Sequence, residues 1–100
     1  MNTHSMFTNE KPIKQVINEL LDAYKLAGKM DELKISNNWA EIVGMVIAKN
    51  TSKIQLKGNT LYIYVESAPL KNELTFHRSV ILQKINTFFN KEIVKEIHIR

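Results

Sequence analysis

The chain has 100 residues, of which 44% are hydrophobic and 24% are charged, and these proportions fit a single folded domain and argue against intrinsic disorder. The formal net charge of +4 permits an acidic partner such as nucleic acid, but simple solvation of the surface explains it equally well. Because cysteine is absent, disulfides, thiolate nucleophiles and cysteine-bound zinc are excluded.

The polar start of the chain predicts a flexible tail over residues 1–10, followed by a single domain over residues 11–100. This start has neither the basic region nor the apolar region of a secretory signal, and no apolar run approaches the ~18 residues of a membrane span. We therefore expect a cytoplasmic protein without a membrane partner.

The first predicted helix is indicated by apolar residues that recur every three or four positions between Ile13 and Tyr24. Pro12 suits a first helical turn, and Gly28 stands where a left-handed cap would end the helix. The next helix is predicted to start at Asp31 or Asn37 and to end near residue 48.

The single tryptophan and one of the three glycines lie within this second helix. Trp39 is followed by the apolar residues Ile42 and Val43, which predicts that its indole anchors the core. Gly44 costs about 1 kcal/mol in a helix interior relative to alanine. Its presence therefore predicts a close approach of this helix to the sheet or to another helix.

The spacing then changes to strict alternation on both sides of a Gly-Asn pair, residues 58–59, which predicts a β-hairpin with a tight turn. A helix of about twenty residues follows, with Ser67 as its N-cap and Asn90 near its end. Residues 93–100 alternate again and predict a third strand.

The resulting order is α-α-β-β-α-β, and each strand is apolar on one side only. This pattern predicts a two-layer α/β sandwich (α+β) in which helices cover one face of a three-stranded sheet. A right-handed crossover through the long helix would run the third strand parallel to the second. The residues assigned to the interior are Trp39, Val43, Gly44, Ile47, Leu61, Ile63, Val65, Leu74, Ile81 and Ile85.

Groups of residues that carry catalysis are missing from the sequence. The histidines, His4, His77 and His98, have no partners at metal-ligand spacing, and no phosphate loop, dinucleotide fingerprint or nucleophile elbow is present. We expect no enzymatic activity, no metal, no cofactor and no small-molecule substrate.

The outward positions of the strands interleave cations with flat side chains, and they comprise Lys53, Gln55, Lys57, Tyr62, Tyr64, His98 and Arg100. Cations neutralise phosphates and rings stack on bases, so this face is a candidate nucleic-acid surface, although Glu66 and Glu96 dilute its charge. The alternative is structural, because tyrosine suits exposed strand positions and edge lysines prevent aggregation. Further candidate cations outside the strands are Lys49, Lys71 and Arg78.

Several short motifs, in their order and spacing, resemble those of the DciA-like family over residues 12–100. They comprise Trp39, Val43, Gly44, Ile47, Ala48, Leu61, Ile63, Val65, Ser67, Ala68, Glu73, Leu74, Ile97, Ile99 and Arg100. The resemblance implies a fold similar to the type II KH domain, and a non-enzymatic adaptor that binds DNA and assists loading of the replicative helicase DnaB. The chain has Asn50 where the family often has His, and it has no G-x-x-G loop, so the phosphate clamp of ordinary KH domains is not expected.

Two functions therefore remain open from the sequence. The first is a DNA-binding adaptor in replication, with DNA, single-stranded or duplex and without sequence preference, and the helicase DnaB as partners. The second is a protein-protein module that touches no nucleic acid and uses a groove between helices or the edge of the third strand.

Overall fold

The computed structural model describes residues 12–100, and the predicted tail at residues 1–10 lies outside the described residues. The elements are α1 (Ile13–Asn37), α2 (Trp39–Val43), α3 (Met45–Asn50), β1 (Thr51–Lys57), β2 (Thr60–Val65), α4 (Ala68–Phe76), α5 (Arg78–Phe89) and β3 (Glu96–Ile99). The predicted order α-α-β-β-α-β is confirmed, with the second and third predicted helices each divided in two. The implied likeness to a type II KH domain stays a prediction.

The strands form one mixed sheet in the order β1-β2-β3. β1 and β2 are antiparallel and meet at the predicted Gly-Asn turn, where Gly58 adopts a φ of +63° that glycine tolerates without strain. β3 runs parallel to β2, as the right-handed crossover predicts. The backbone N–H of Lys95 donates a hydrogen bond of 2.8 Å to the carbonyl of Asn59, so the turn also fixes the start of β3.

One continuous core lies between the sheet and the helices. The inward residues of β2 and β3 pack there against α2, α4 and α5, and the fully or nearly buried members include Trp39, Leu61, Ile63, Val65, Leu74, Ile81, Ile85 and Ile97. Val43 and Ile47 are partly buried against this cluster. Helices therefore cover one face of the sheet, and the outward strand residues lie on the other.

Trp39 joins three elements at the edge of this core. Its side chain is only 4% exposed, and its indole N–H donates a hydrogen bond of 3.0 Å to the Thr51 hydroxyl at the start of β1. The Thr51 hydroxyl in turn donates to the Ile47 carbonyl in α3, at 2.7 Å. The indole thus fills the core between α2 and β1 while its single polar atom is satisfied.

The connection from α5 to β3 depends on a single side chain. The Asn86 carboxamide oxygen accepts hydrogen bonds from the backbone N–H groups of Ile93 and Val94 at 2.9 and 3.0 Å, and its amide donates to the Val94 carbonyl at 2.8 Å. Ile93 and Val94 are both buried, so they do not alternate as a strand would. For this reason β3 begins at Glu96 and is shorter than predicted.

The predicted role of Gly44 is wrong. A Cβ built on Gly44 would meet nothing within 4 Å, so no element approaches it closely. Its φ and ψ of 96° and 162° instead break the predicted helix into α2 and α3. These angles fall in a region that is essentially restricted to glycine.

Replacing Gly44 with Ala should lower the free energy of unfolding by about 1–3 kcal/mol, because alanine is strained at this backbone conformation. Urea denaturation followed by circular dichroism measures the difference. Gly28 provides the matched control, since it lies inside a helix with no positive φ and nothing within 4 Å of its Cβ position. Gly28→Ala should leave stability unchanged or raise it, and an equal loss in both variants would contradict the explanation.

The predicted end of the first helix at Gly28 is also wrong, because α1 continues to Asn37. The C-terminal half of α1 is held against the domain by the fully buried Ile35 and by Glu32. The Glu32 carboxylate accepts a hydrogen bond of 2.9 Å from the Leu56 N–H in β1 and another of 2.6 Å from Lys29. These contacts outweigh the modest helix penalty of one glycine.

The charge state of Glu32 follows from the same contacts. Burial raises the pKa of this carboxyl, but the hydrogen bonds from Lys29 and from the Leu56 N–H, with the charges of Lys29 and Lys53, lower it further than burial raises it. The pKa of Glu32 therefore lies below its ordinary value, and the carboxylate is ionised at neutral pH.

The predicted long helix after β2 is divided at His77 into α4 and α5. His77 has a φ of −116° and lies outside both helices, and its backbone N–H donates to the Leu74 carbonyl at 3.0 Å. The apolar spacing of the sequence continues through this break, since Leu74 and Ile81 on either side both reach the core.

Candidate nucleic-acid interface

The alternation of β1, β2 and β3, continued by Arg100 directly after β3, places seven side chains together on the side of the sheet away from the helices. We call this set the outer sheet face, and it consists of Lys53, Gln55, Lys57, Tyr62, Tyr64, His98 and Arg100. The strand register brings Gln55, Tyr62 and His98 into one row across the three strands, and Lys53 opposite Tyr64 in the next row. The predicted strand residues are therefore assembled on one surface.

Tyr62 lies at the centre of the outer sheet face and is surrounded by its neighbours. The His98 ring stacks on it with centroids 5.3 Å apart and planes 15° from parallel. The Lys57 ammonium lies 5.6 Å from the centroid of the Tyr62 ring, and the Arg100 guanidinium lies 5.5 Å from it. Distances below about 6 Å are typical of cation–π attraction, which holds both cations near the ring.

Tyr64 repeats this arrangement in the neighbouring row. The Lys53 ammonium lies 4.9 Å from the centroid of the Tyr64 ring. The Tyr64 hydroxyl donates a hydrogen bond of 3.3 Å to the Gln55 side-chain oxygen. Gln55 thus positions the Tyr64 ring, and this ring in turn orients the Lys53 ammonium.

The acidic residues nearby reduce the positive charge of this surface. Glu96 lies in β3, and one of its carboxylate oxygens is 3.1 Å from Nε2 of His98. Glu66 is exposed directly after β2. The three permanent cations Lys53, Lys57 and Arg100 still outnumber these two carboxylates.

The other predicted cations lie elsewhere. Lys49 is in α3, Lys71 in α4 and Arg78 at the start of α5, and all three are exposed. Because these helices pack on the opposite side of the sheet, the structure does not bring these three residues to the outer sheet face. They form no single surface with it.

The family profile described as "Dna[CI] antecedent, DciA" matches residues 12–99, which include every helix and strand above. The chain belongs to the DciA family. Membership in this family implies a helicase-loader-like role in DNA replication, and DciA proteins are adaptors rather than known enzymes. No curated protein matches the chain.

Within residues 12–100 of this DciA protein, no group of three or more His, Cys, Asp or Glu side chains is arranged to hold a metal ion. None of the helices described for these residues is long and apolar enough to cross a membrane.

Sequence reasoning missed one surface of this DciA protein, which lies on the N-terminal half of α1. We call it the apolar stripe, and it consists of Ile13, Val16, Ile17, Leu20, Leu21 and Tyr24. Its periodicity predicted one face of a helix, and in the structure this face is open to solvent, with Leu20 55% exposed and Tyr24 75% exposed. No sequence signal distinguishes a stripe that the domain covers from one that it leaves open.

The apolar stripe lies in line with the part of α1 that does pack on the domain. Ile35 follows Tyr24 by eleven residues, which is about three helical turns, so the two side chains project from the same side of α1. Ile35 is fully buried, whereas the stripe extends past the domain and contributes to a longest dimension of 59 Å. The stripe is therefore a run of exposed apolar side chains that the domain itself does not cover.

The helix layer also has an apolar groove of 420 Å³ between α2, α3, α4 and α5. Val46 and Val80 line it, and Glu73, His77 and Lys84 contribute polar groups. This groove corresponds to the helix groove expected for a protein-protein module. Two of its lining residues, Leu74 and Ile81, also belong to the core.

Proposed function

We propose that this DciA protein is a non-enzymatic cytoplasmic adaptor in DNA replication, which binds DNA through its outer sheet face and the replicative helicase DnaB through its apolar stripe. The DNA-binding part rests on one observation, which is that the cations Lys53, Lys57 and Arg100 lie over tyrosine rings on one surface. Cations fixed in place lose little conformational freedom when they contact phosphates, which favours binding.

Fluorescence anisotropy with labelled DNA across a salt series tests this proposal. Three phosphate contacts should give a slope of log K against log salt near −2.7 on a duplex, since each contact contributes about −0.9. No detectable binding at low salt, or binding that salt does not weaken, would contradict DNA binding through this surface.

The apolar stripe supports the helicase part of the proposal. Its residues occupy consecutive turns on one side of α1, and this spacing is typical of a helix that packs against other helices. Family membership identifies the replicative helicase as the partner to test, because the role implied for DciA proteins requires contact with it. Binding of the stripe to DnaB would remove exposed leucine and isoleucine side chains from water.

Replacing both Leu20 and Tyr24 with Glu should abolish retention of purified DnaB in a pull-down. The two carboxylates would have to lose their hydration in an apolar contact, at a cost that outweighs the contact itself. The melting temperature should change little, because both side chains are exposed in the free protein. DNA binding by this variant should persist.

The matched control is Leu26→Glu with Met30→Glu, which places two carboxylates at the same spacing on another side of α1 where both residues are also exposed. This control should retain DnaB. Equal loss of DnaB in the two double variants, or retention in both, would contradict docking on the apolar stripe.

A further inference from the structure

The faces of the Tyr62 ring are already occupied by residues of the protein itself. Because β2 lies between β1 and β3, side chains from these strands approach Tyr62 from opposite sides. Lys57 approaches from β1, while His98 approaches from β3 and Arg100 from the position directly after it. A nucleic-acid base therefore has no free face of this ring on which to stack.

Tyr64 offers at most one ring face to a base. Lys53 lies over its ring at 4.9 Å, and its hydroxyl is engaged by Gln55. The surfaces that bind single strands by stacking instead present open aromatic faces beside a positively charged groove. The outer sheet face presents cations, with the rings beneath or between them.

We propose that the outer sheet face binds the phosphate backbone of duplex nucleic acid and that Tyr62 is a positioning residue that holds Lys57 and Arg100 toward the phosphates. This inference rests on the DNA binding proposed above and specifies its form. A duplex presents phosphates on the outside and keeps its bases stacked inside, which matches a surface of cations whose central ring is occupied on both faces. It also carries the denser phosphate charge, so each neutralised phosphate releases more counterion than on a single strand.

The spacing of the cations agrees with a contact across several phosphates. Lys53 and Lys57 are four residues apart on β1, which corresponds to about 13 Å along a strand. Arg100 lies two strands away, at about 10 Å across the sheet. The three cations therefore form a triangle wide enough for separate phosphates and without a pocket for a base.

Three oligonucleotides of equal length test the inference on the wild-type protein by anisotropy at low salt: a duplex, a single strand, and a single strand whose bases are replaced by abasic sites. We expect the duplex to bind at least tenfold more tightly than the single strand. We also expect the abasic strand to bind within twofold of the normal single strand, because both carry the same phosphates.

If the normal single strand binds at least fivefold more tightly than the abasic strand, bases contribute by stacking. That result would overturn the inference and leave DNA binding itself intact. If none of the three oligonucleotides binds, the proposed DNA binding fails, and the inference fails with it.

Variants of Tyr62 test whether this ring positions Lys57 and Arg100 or only stabilises the fold. Tyr62→Phe keeps the ring and should retain the wild-type duplex affinity. Tyr62→Leu removes the ring and should weaken duplex binding about fivefold, since each cation–π contact is modest. Circular dichroism and melting temperature identify any loss of folding. Equal duplex affinity of folded Phe and Leu variants would contradict the positioning role.

Discussion

Replacing both Lys53 and Lys57 with Glu is expected to weaken duplex DNA binding by about a hundredfold or more. Charge-assisted contacts contribute roughly 1.5–3 kcal/mol each, and a tenfold change in affinity corresponds to about 1.4 kcal/mol. The two carboxylates would in addition repel the phosphates. The slope of log K against log salt should become shallower by about 1.8, which is the contribution of two phosphate contacts.

The matched control is Lys14→Glu with Lys84→Glu, because it changes the net charge by the same amount. Lys14 lies near the start of α1, and Lys84 lies in α5 within the helix layer. Both side chains are exposed and distant from the outer sheet face. The control should keep most of the affinity and the original salt slope. An equal loss in both double variants would show that overall charge, and not this face, determines binding.

The second large expected effect concerns stability. Asn86→Ala should lower the free energy of unfolding by about 3 kcal/mol, because two backbone N–H groups and one carbonyl would lose their partner. The affected groups belong to Ile93 and Val94, which are buried, so water cannot easily replace the carboxamide. A loss of this size is large against the 5–15 kcal/mol that is typical of a domain.

Urea denaturation of Asn86→Ala measures this loss. Asn72→Ala serves as the control, since it is the same substitution in the neighbouring helix α4 at an exposed position. Exposed substitutions usually change stability by no more than about 0.5 kcal/mol. If both variants lose the same small amount, the connection from α5 to β3 does not depend on Asn86.

Alternation along the strands was sufficient to predict the hairpin and the outward residues of the sheet. In β2, for example, Leu61, Ile63 and Val65 are buried while Tyr62 and Tyr64 between them face outward. This success has a simple cause, because side chains of a strand alternate regardless of what the rest of the chain does. The crossover rule likewise predicted the parallel direction of β3.

The two helix glycines could not be distinguished by sequence. Gly28 stays within α1, whereas Gly44 ends α2 at a positive φ. A glycine inside a helix lowers its stability by about 1 kcal/mol, and packing decides whether that is enough to end the helix. The helix continues past Gly28 because the hydrogen bonds of Glu32 and the burial of Ile35 stabilise the part of α1 that follows.

Contacts between distant parts of the chain could not be predicted from the sequence either. In the sequence, Asn86 is indistinguishable from any other polar residue of a helix. Its hydrogen bonds with the backbone of Ile93 and Val94 depend on where α5 ends. The cations around Tyr62 depend on the order of the strands, which periodicity does not specify. For this reason the sequence suggested rings free to stack on bases, whereas the structure places cations and an imidazole on the central ring.

The exposure of the apolar stripe on α1 has a related explanation. Periodicity reports that one side of a helix is apolar, but it does not report the position of the helix relative to the sheet. Ile35 lies over the sheet and is buried, whereas Ile13 lies beyond the domain and is 74% exposed. Both residues are isoleucines on the apolar side of α1, but only Ile35 has the domain packed against it.

The central claim, that the outer sheet face is the DNA-binding surface, is tested most directly by an NMR titration of the ¹⁵N-labelled protein with a short duplex. We predict that the largest shifts will occur at the backbone amides of Lys53, Gln55, Lys57, Tyr62 and Arg100. The amides of α4 and α5 should be nearly unaffected. Shifts concentrated on these helices, around Lys71 and Arg78, would contradict the claim and assign DNA binding to the opposite layer.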